Sequence, residues 1–326
     1  MKRAAMIFLV CSISLTGLAC SESSLGLREE MPPADTPPGE TPPEDAPGLP
    51  VDAQLAFVST RDGSPHIYLA REDGSNVTRL AAGERPAWSW DGLRIAFQRD
   101  GVIYVINADG SHERRLVGGF NPAWSPDGGK IVFDRLVGIF VLDLANSRTT
   151  RLIRSEFLPV EPPEEGEPWV GQPAWSPDGR SIAFVRGSFY EPWRIYVMRA
   201  DGSGPRLLND GLGGFEPAWS PDGSSIAFES SFGVGMVNLD GSGMQVHVRG
   251  FNPDWSAEGD RLVFSRFLTP DPDGSPLGSR MRIVVLGEDG VARQLVPEAV
   301  GTALPSYQDY DIAWTRLSSG GSQWNY

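Results

Sequence analysis

The heptapeptide Pro-Ala-Trp-Ser-Pro-Asp-Gly occurs three times unchanged, at Pro122–Gly128, Pro173–Gly179 and Pro217–Gly223. Variants stand at Pro86–Gly92, with Trp90 in the second proline slot, and at Pro253–Gly259, which reads PDWSAEG; a degenerate sixth copy is Ile312-Ala313-Trp314-Thr315. Trp88, Trp124, Trp175, Trp219, Trp255 and Trp314 therefore share one slot, and a chain written this way must fold as repeats of one unit. Each full copy continues into a short apolar run, such as Ile95-Ala96-Phe97 or Ile226-Ala227-Phe228. A second run, an Asp-Gly turn such as Asp109-Gly110, and a short outer segment follow. Alternating runs bounded by Gly, Pro and Asp read as strands, and Asp-Gly between two of them reads as a hairpin turn. The unit is four antiparallel strands.

Four-stranded units at this spacing predict an all-β, six-bladed β-propeller over residues 52–317, because radial packing lets each sheet bury its faces against its neighbours. Gln54–Leu80 supplies only the three later strands of a blade, at Leu55-Ala56-Phe57, Ile67-Tyr68-Leu69 and Thr78-Arg79-Leu80. Asp311–Thr315 supplies the missing innermost strand, so both ends of the propeller meet in one blade and no ragged sheet edge remains. The Trp-Ser-Pro-Asp-Gly repeats resemble the WD-type propeller repeat of the TolB-like family, over about four-fifths of the chain. The resemblance implies a propeller and an envelope location. TolB pairs its propeller with an N-terminal α/β domain, and here a very different segment stands in that place.

That segment opens with Lys2 and Arg3, followed by an uncharged apolar stretch from Ala4 to Ala19, the length of a signal-peptide core. Its end, Leu15-Thr16-Gly17-Leu18-Ala19-Cys20, resembles the lipobox of bacterial lipoproteins, which makes residues 1–19 the expected signal peptide and Cys20 the expected lipidation site. Residues 21–50 hold eight prolines and seven acidic residues against one Arg, so residues 20–51 are expected to be a disordered tether that holds the propeller away from the membrane. Residues 318–326 read as a flexible tail. In a Gram-negative host, Ser21 after the Cys resembles the pattern that sorts to the outer membrane, facing the periplasm.

The 28 basic and 42 acidic residues give a net charge of −14, which excludes a basic nucleic-acid footprint. Both cysteines, Cys11 and Cys20, precede the propeller, so neither disulfides nor a Cys-based zinc site can hold it together. His66, His112 and His247 fall in different blades, no His-Glu-x-x-His or Gly-x-Ser-x-Gly occurs, and nothing remains to build a hydrolase domain. Asp127, Asp178 and Asp222 recur with the repeat, as turn residues do and a single catalytic residue does not. Asp271-Pro272-Asp273-Gly274 has Arg282 where an EF-hand loop requires Glu.

In an up-down-up-down blade the turns after the first and third strands share one face, and these are tight and nearly constant. The insertions Ile153–Gly171, Gly187–Arg194, Phe267–Arg280 and Pro297–Tyr310 all fall on the other face, where variable loops mark a binding surface. The residue just before each innermost strand should sit at the channel mouth on that face: Arg85, Asn121, Gln172, Glu216, Asn252 and Asp311, all polar. The position before it holds Phe120, Phe215, Phe251 and Tyr310 in four blades of six. Trp169, Phe189, Tyr190 and Trp193 either extend this aromatic rim or pin the loops down. A polar ring inside an aromatic rim suits a small polar ligand, a metal or an inserted peptide segment; the other reading is that the polar side chains hydrate a water-filled channel and the Phe residues pack between blades. The tether, the one-sided insertions and the lack of a catalytic set point to a protein or peptide partner. The expectation is a monomeric, non-catalytic envelope lipoprotein that binds such a partner and needs no cofactor. The alternative is a calcium-dependent channel enzyme, of lactonase or sugar dehydrogenase type, using Glu216 and Asp311.

Overall fold

The computed structural model describes residues 53–135, 138–154, 169–188, 192–208, 213–267, 281–287, 292–294 and 309–314. The expected leader, Cys20, the tether and the tail lie outside these residues. So do most of the four long insertions, with Phe189, Tyr190 and the Asp271–Gly274 stretch, and nothing is described of the Tyr310 and Asp311 side chains. Within the described residues, strands form six four-stranded antiparallel sheets and no helix occurs.

The innermost strands are Asp309–Trp314, Glu84–Trp88, Phe120–Trp124, Trp169–Trp175, Phe215–Trp219 and Phe251–Trp255, which define blades one to six. Each adjoins the next and the sixth adjoins the first, closing the ring. Blade one is composite as expected: Leu55–Ser59 pairs on one side with His66–Ala70 and on the other with Asp309–Trp314, Leu55 facing Trp314. The closing strand starts at Asp309, two residues before the expected start, because the ladder continues to Asp309 opposite Ser59 past a register shift.

The core lies between blades. Phe57, Phe97, Phe133, Phe184, Phe228 and Phe264 fill one slot of the second strand in all six blades and are fully buried, each contributing about 1.5–3 kcal/mol by burial. Trp88, Trp124, Trp175, Trp219 and Trp255 pack into these seams, and three of them also stitch the blades together. Trp124, Trp219 and Trp255 each donate the indole N–H to the carbonyl of the preceding blade's Ala87, Ala174 or Ala218, at 3.1, 3.1 and 3.2 Å.

The Ser-Pro-Asp-Gly turns close the opposite face. Ser125 Oγ donates to Asp127 Oδ1 at 2.6 Å, and the Gly129 and Lys130 amides donate to Asp127 Oδ1 and Ser125 Oγ at 3.0 and 2.9 Å. Asp178 and Asp222 repeat the pattern. The serine hydroxyl and the backbone amide hold all three carboxyls below the ordinary carboxylate range, so these aspartates are turn residues, as their periodicity implied. Blade six, which reads Ala-Glu-Gly, recovers the contact from two residues downstream: Ser256 Oγ donates to Asp260 Oδ1 at 2.7 Å.

Candidate functional site at the channel mouth

The polar slot lies inside each innermost strand rather than before it: Arg85, Asn121, Glu216 and Asn252 are the second residue of theirs, Asp311 the third and Gln172 the fourth. Arg85, Asn121, Gln172, Glu216 and Asn252 have φ of 54°, 50°, 51°, 49° and 50°, a region that costs a non-glycine residue roughly 1–2 kcal/mol. At each one the ladder shifts register, as between Glu84 opposite Gln98 and Ala87 opposite Ala96. The slot residue and the proline after it form a β-bulge. Proline has no N–H to lose there, and the bulge re-aims the preceding side chain. Glycine leads into the bulge for a steric reason: a Cβ on Gly119 would come within 2.4 Å of the buried Phe133 ring.

The bulge takes the slot amide out of its own ladder, and the neighbouring blade receives it. Asn121 N–H donates to Gln98 Oε1 at 3.0 Å, Gln172 N–H to Asp134 Oδ1 at 3.0 Å, and Asn252 N–H to Glu229 Oε2 at 3.4 Å. Gln98, Asp134 and Glu229 occupy the same position of the second strand, opposite Glu84, Phe120 and Phe215. Blade four has Val185 there, which cannot accept, and Gln172 Oε1 takes over by accepting from the Glu216 amide at 3.1 Å. Sequence reading missed these acceptors, although polar residues on an otherwise apolar strand were the signal for them.

The side chains then meet. Arg85 Nη1 donates to Glu216 Oε1, and Gln172 Nε2 donates to the same oxygen at 2.5 Å. Asn121 Nδ2 donates to Asp134 Oδ1 at 2.8 Å. Asp134 is 2% exposed, and burial pushes its carboxyl up to about 7 despite the Asn121 and Gln172 hydrogen bonds and the Arg85 charge; Glu216 adds to the rise. All five described slot residues line one cavity of about 190 Å³, walled below by the prolines and alanines of the innermost strands.

The aromatic rim is only partly a rim. Phe120 is 38% exposed and Phe251 half-buried. Phe215 lies 5.4 Å from Trp193, which meets Trp169 edge-on at 5.5 Å, and all three pack onto the core between blades four and five. Trp169 and Trp193 thus pin the chain down. His66, His112 and His247 are remote from the mouth: His66 contacts Ser64 O, His112 contacts Asn107, and His247 is exposed on an outer strand. Among the described residues, no three His, Cys, Asp or Glu side chains come close enough to hold a metal ion.

No protein-family model matches the chain, and no curated protein matches it in sequence. The fold is similar to that of TolB from Acinetobacter baumannii, with a TM-score of 0.63 and 18% identity over 82% of this chain and 68% of that one. It is also similar to a chain of a nidogen/laminin complex, at TM-score 0.61 and 11% identity over 80% and 97%. A gluconolactonase from Xanthomonas campestris gives TM-score 0.52 and 15% identity over 79% and 89%. The fold is a TolB-like six-bladed propeller. Such a fold serves a Tol protein, a protein complex and an enzyme alike, so function has to be argued from the site.

Proposed function

We propose that the propeller is a non-catalytic binding module that receives a protein or extended peptide partner at the channel mouth, on the face from which the long connections leave. One observation carries this reading: the five described slot residues keep an unfavourable backbone conformation while lining one cavity with polar side chains. Strain of this kind is held where it serves a site. The opposite face is closed by tight turns whose carboxylates are engaged locally. The likeness in fold to TolB and to a chain of a nidogen/laminin complex supports a propeller that works by docking. With the lipobox-like ending at Cys20, the module is placed on a membrane as a monomeric lipoprotein, facing the periplasm in a Gram-negative host. Glu216→Ala combined with Phe215→Ala should abolish capture of a partner that wild-type protein retains in a pull-down with cross-linking. Undiminished capture would remove the mouth as the site.

The carboxylates of the mouth, with Asp134 pushed up to about 7, support a second reading, a calcium-dependent channel enzyme using Glu216 and Asp311. Equilibrium dialysis separates the two: calcium uptake that Glu216→Gln eliminates favours the enzyme, and no uptake rejects it.

A further inference from the structure

Arg85 and Glu216 stand on blades two and five, half a turn apart in a ring of six, so their ion pair runs across the mouth rather than along its rim. It acts as a bolt over the cavity beneath. Whatever enters must part the pair and take the place of one of its charges, and the walls decide which. Among the described residues lining the cavity, Arg85 is the one cation, whereas Glu216 and Asp254 are both carboxylates. Asp254 occupies the slot where the other blades carry Ala87, Ala123, Ala174, Ala218 and Ala313, a single departure from a uniformly small wall. Its strand adjoins that of Glu216, joined by the Trp255 indole on the Ala218 carbonyl at 3.2 Å. Asp134, buried behind the wall, is linked to Glu216 through Gln172.

An anion arriving at Arg85 would take the cation from Glu216 and leave it beside a second carboxylate, Asp254. A cation arriving at Glu216 meets the Glu216 and Asp254 carboxylates together, and Arg85 gives up Glu216 to it. The chain's net charge of −14 attracts the same class of partner over longer range. With no three ligating side chains close enough to hold a metal ion among the described residues, the arrangement suits a single organic cation. We propose, resting on the binding-module reading, that the mouth receives a lysine or arginine side chain on an extended basic segment of the partner, which displaces Arg85 from Glu216 and seats its charge between Glu216 and Asp254.

The test measures fluorescence anisotropy of labelled acetyl-(Gly-Lys)5-amide on the full chain in detergent, beside its Glu counterpart, at low salt. The Lys peptide should bind and the Glu peptide should not. Asp254→Ala and Glu216→Gln should each weaken binding about tenfold, the scale of one charge-assisted hydrogen bond. Arg85→Ala should tighten it by a similar factor, because the internal competitor is gone. Asp254→Ala restores the residue of the other five blades but removes the acceptor of the Trp255 amide at 2.8 Å; Asp254→Asn, which keeps that acceptor and loses only the charge, should weaken binding alike and melt as wild type. The inference is overturned if Arg85→Ala weakens binding, if the Glu peptide is preferred, if all variants bind as wild type, or if calcium chloride displaces the peptide one-for-one through Glu216. Partner capture that needs Glu216 and Phe215 without any Lys preference would sink this inference alone. The predicted order of variants with no such capture would sink the partner reading alone.

Discussion

Asp134 offers the sharpest physical test of the mouth. Its carboxyl is 2% exposed and pushed from 3.8 up to about 7, first by burial. Between those values the unfolded chain carries an ionised Asp134 while the folded chain keeps the proton. The folded state then binds more protons, so stability falls as pH rises, by about 1.36 kcal/mol per pH unit. The contribution is fully present below pH 4 and lost by the time pH has passed about 7. Asp134→Asn cannot ionise, yet its Oδ1 can still accept from Asn121 Nδ2 and the Gln172 amide, the two donors now at 2.8 and 3.0 Å. The stability of Asp134→Asn minus that of wild type should therefore climb by about 2 kcal/mol between pH 5 and pH 7 and level off above pH 8. Urea denaturation of both proteins at half-unit pH steps measures this, and taking the difference cancels every other titration the two share. A difference that stays flat from pH 5 to pH 8 would mean that Asp134 ionises at its ordinary value, refuting the account of Asp134 as a buried, protonated acid behind the mouth.

Two further predictions concern the seams and the anchor. Trp219 donates to the Ala174 carbonyl at 3.1 Å, whereas the buried indole N–H of Trp175 has no acceptor. Trp219→Phe should therefore cost about 1 kcal/mol more than Trp175→Phe in thermal or urea unfolding; equal losses would show that the indole bonds do not hold the ring. Cys20→Ser should move the protein from the membrane to the soluble fraction on centrifugation, and retention in the membrane would contradict a lipid anchor.

The ring was legible because its causes are local and repeated. A Trp, a Ser-Pro-Asp-Gly turn and a buried Phe recur at fixed offsets, and the absent first strand of blade one pointed to Asp311–Thr315 at the far end. The slot residues could be named for the same reason, since each stands next to a recurring Pro-Ala-Trp. Their conformation was not legible: nothing in Asn121-Pro122 announces φ of 50°, because the bulge follows from meeting both its own ladder and the Gln98 acceptor of the preceding blade. Arg85 and Glu216 are 131 residues apart in sequence. Only their half-turn separation in the closed ring brings them together, so no local pattern could pair them. Trp169 and Trp193 had two readings in the sequence, and packing against Phe215 decided between them.

A six-fold repeat by itself makes a symmetric tube, and a symmetric tube has no reason to prefer one ligand or orientation over another. Discrimination has to come from positions where the blades disagree, and in this chain those positions gather at the mouth. The slot carries Arg85 on one side and Glu216 on the other, Val185 removes an acceptor that Gln172 then replaces, and Asp254 breaks a run of alanines. Elsewhere a departure is repaired in place: when blade six loses the turn aspartate, Asp260 supplies the missing oxygen two residues on. The turn face thus restores the repeat after a change, whereas the mouth builds new contacts out of the change. That contrast is what a scaffold face and a recognition face should each display, and it supports the proposed docking site by physical behaviour rather than by analogy with other propellers.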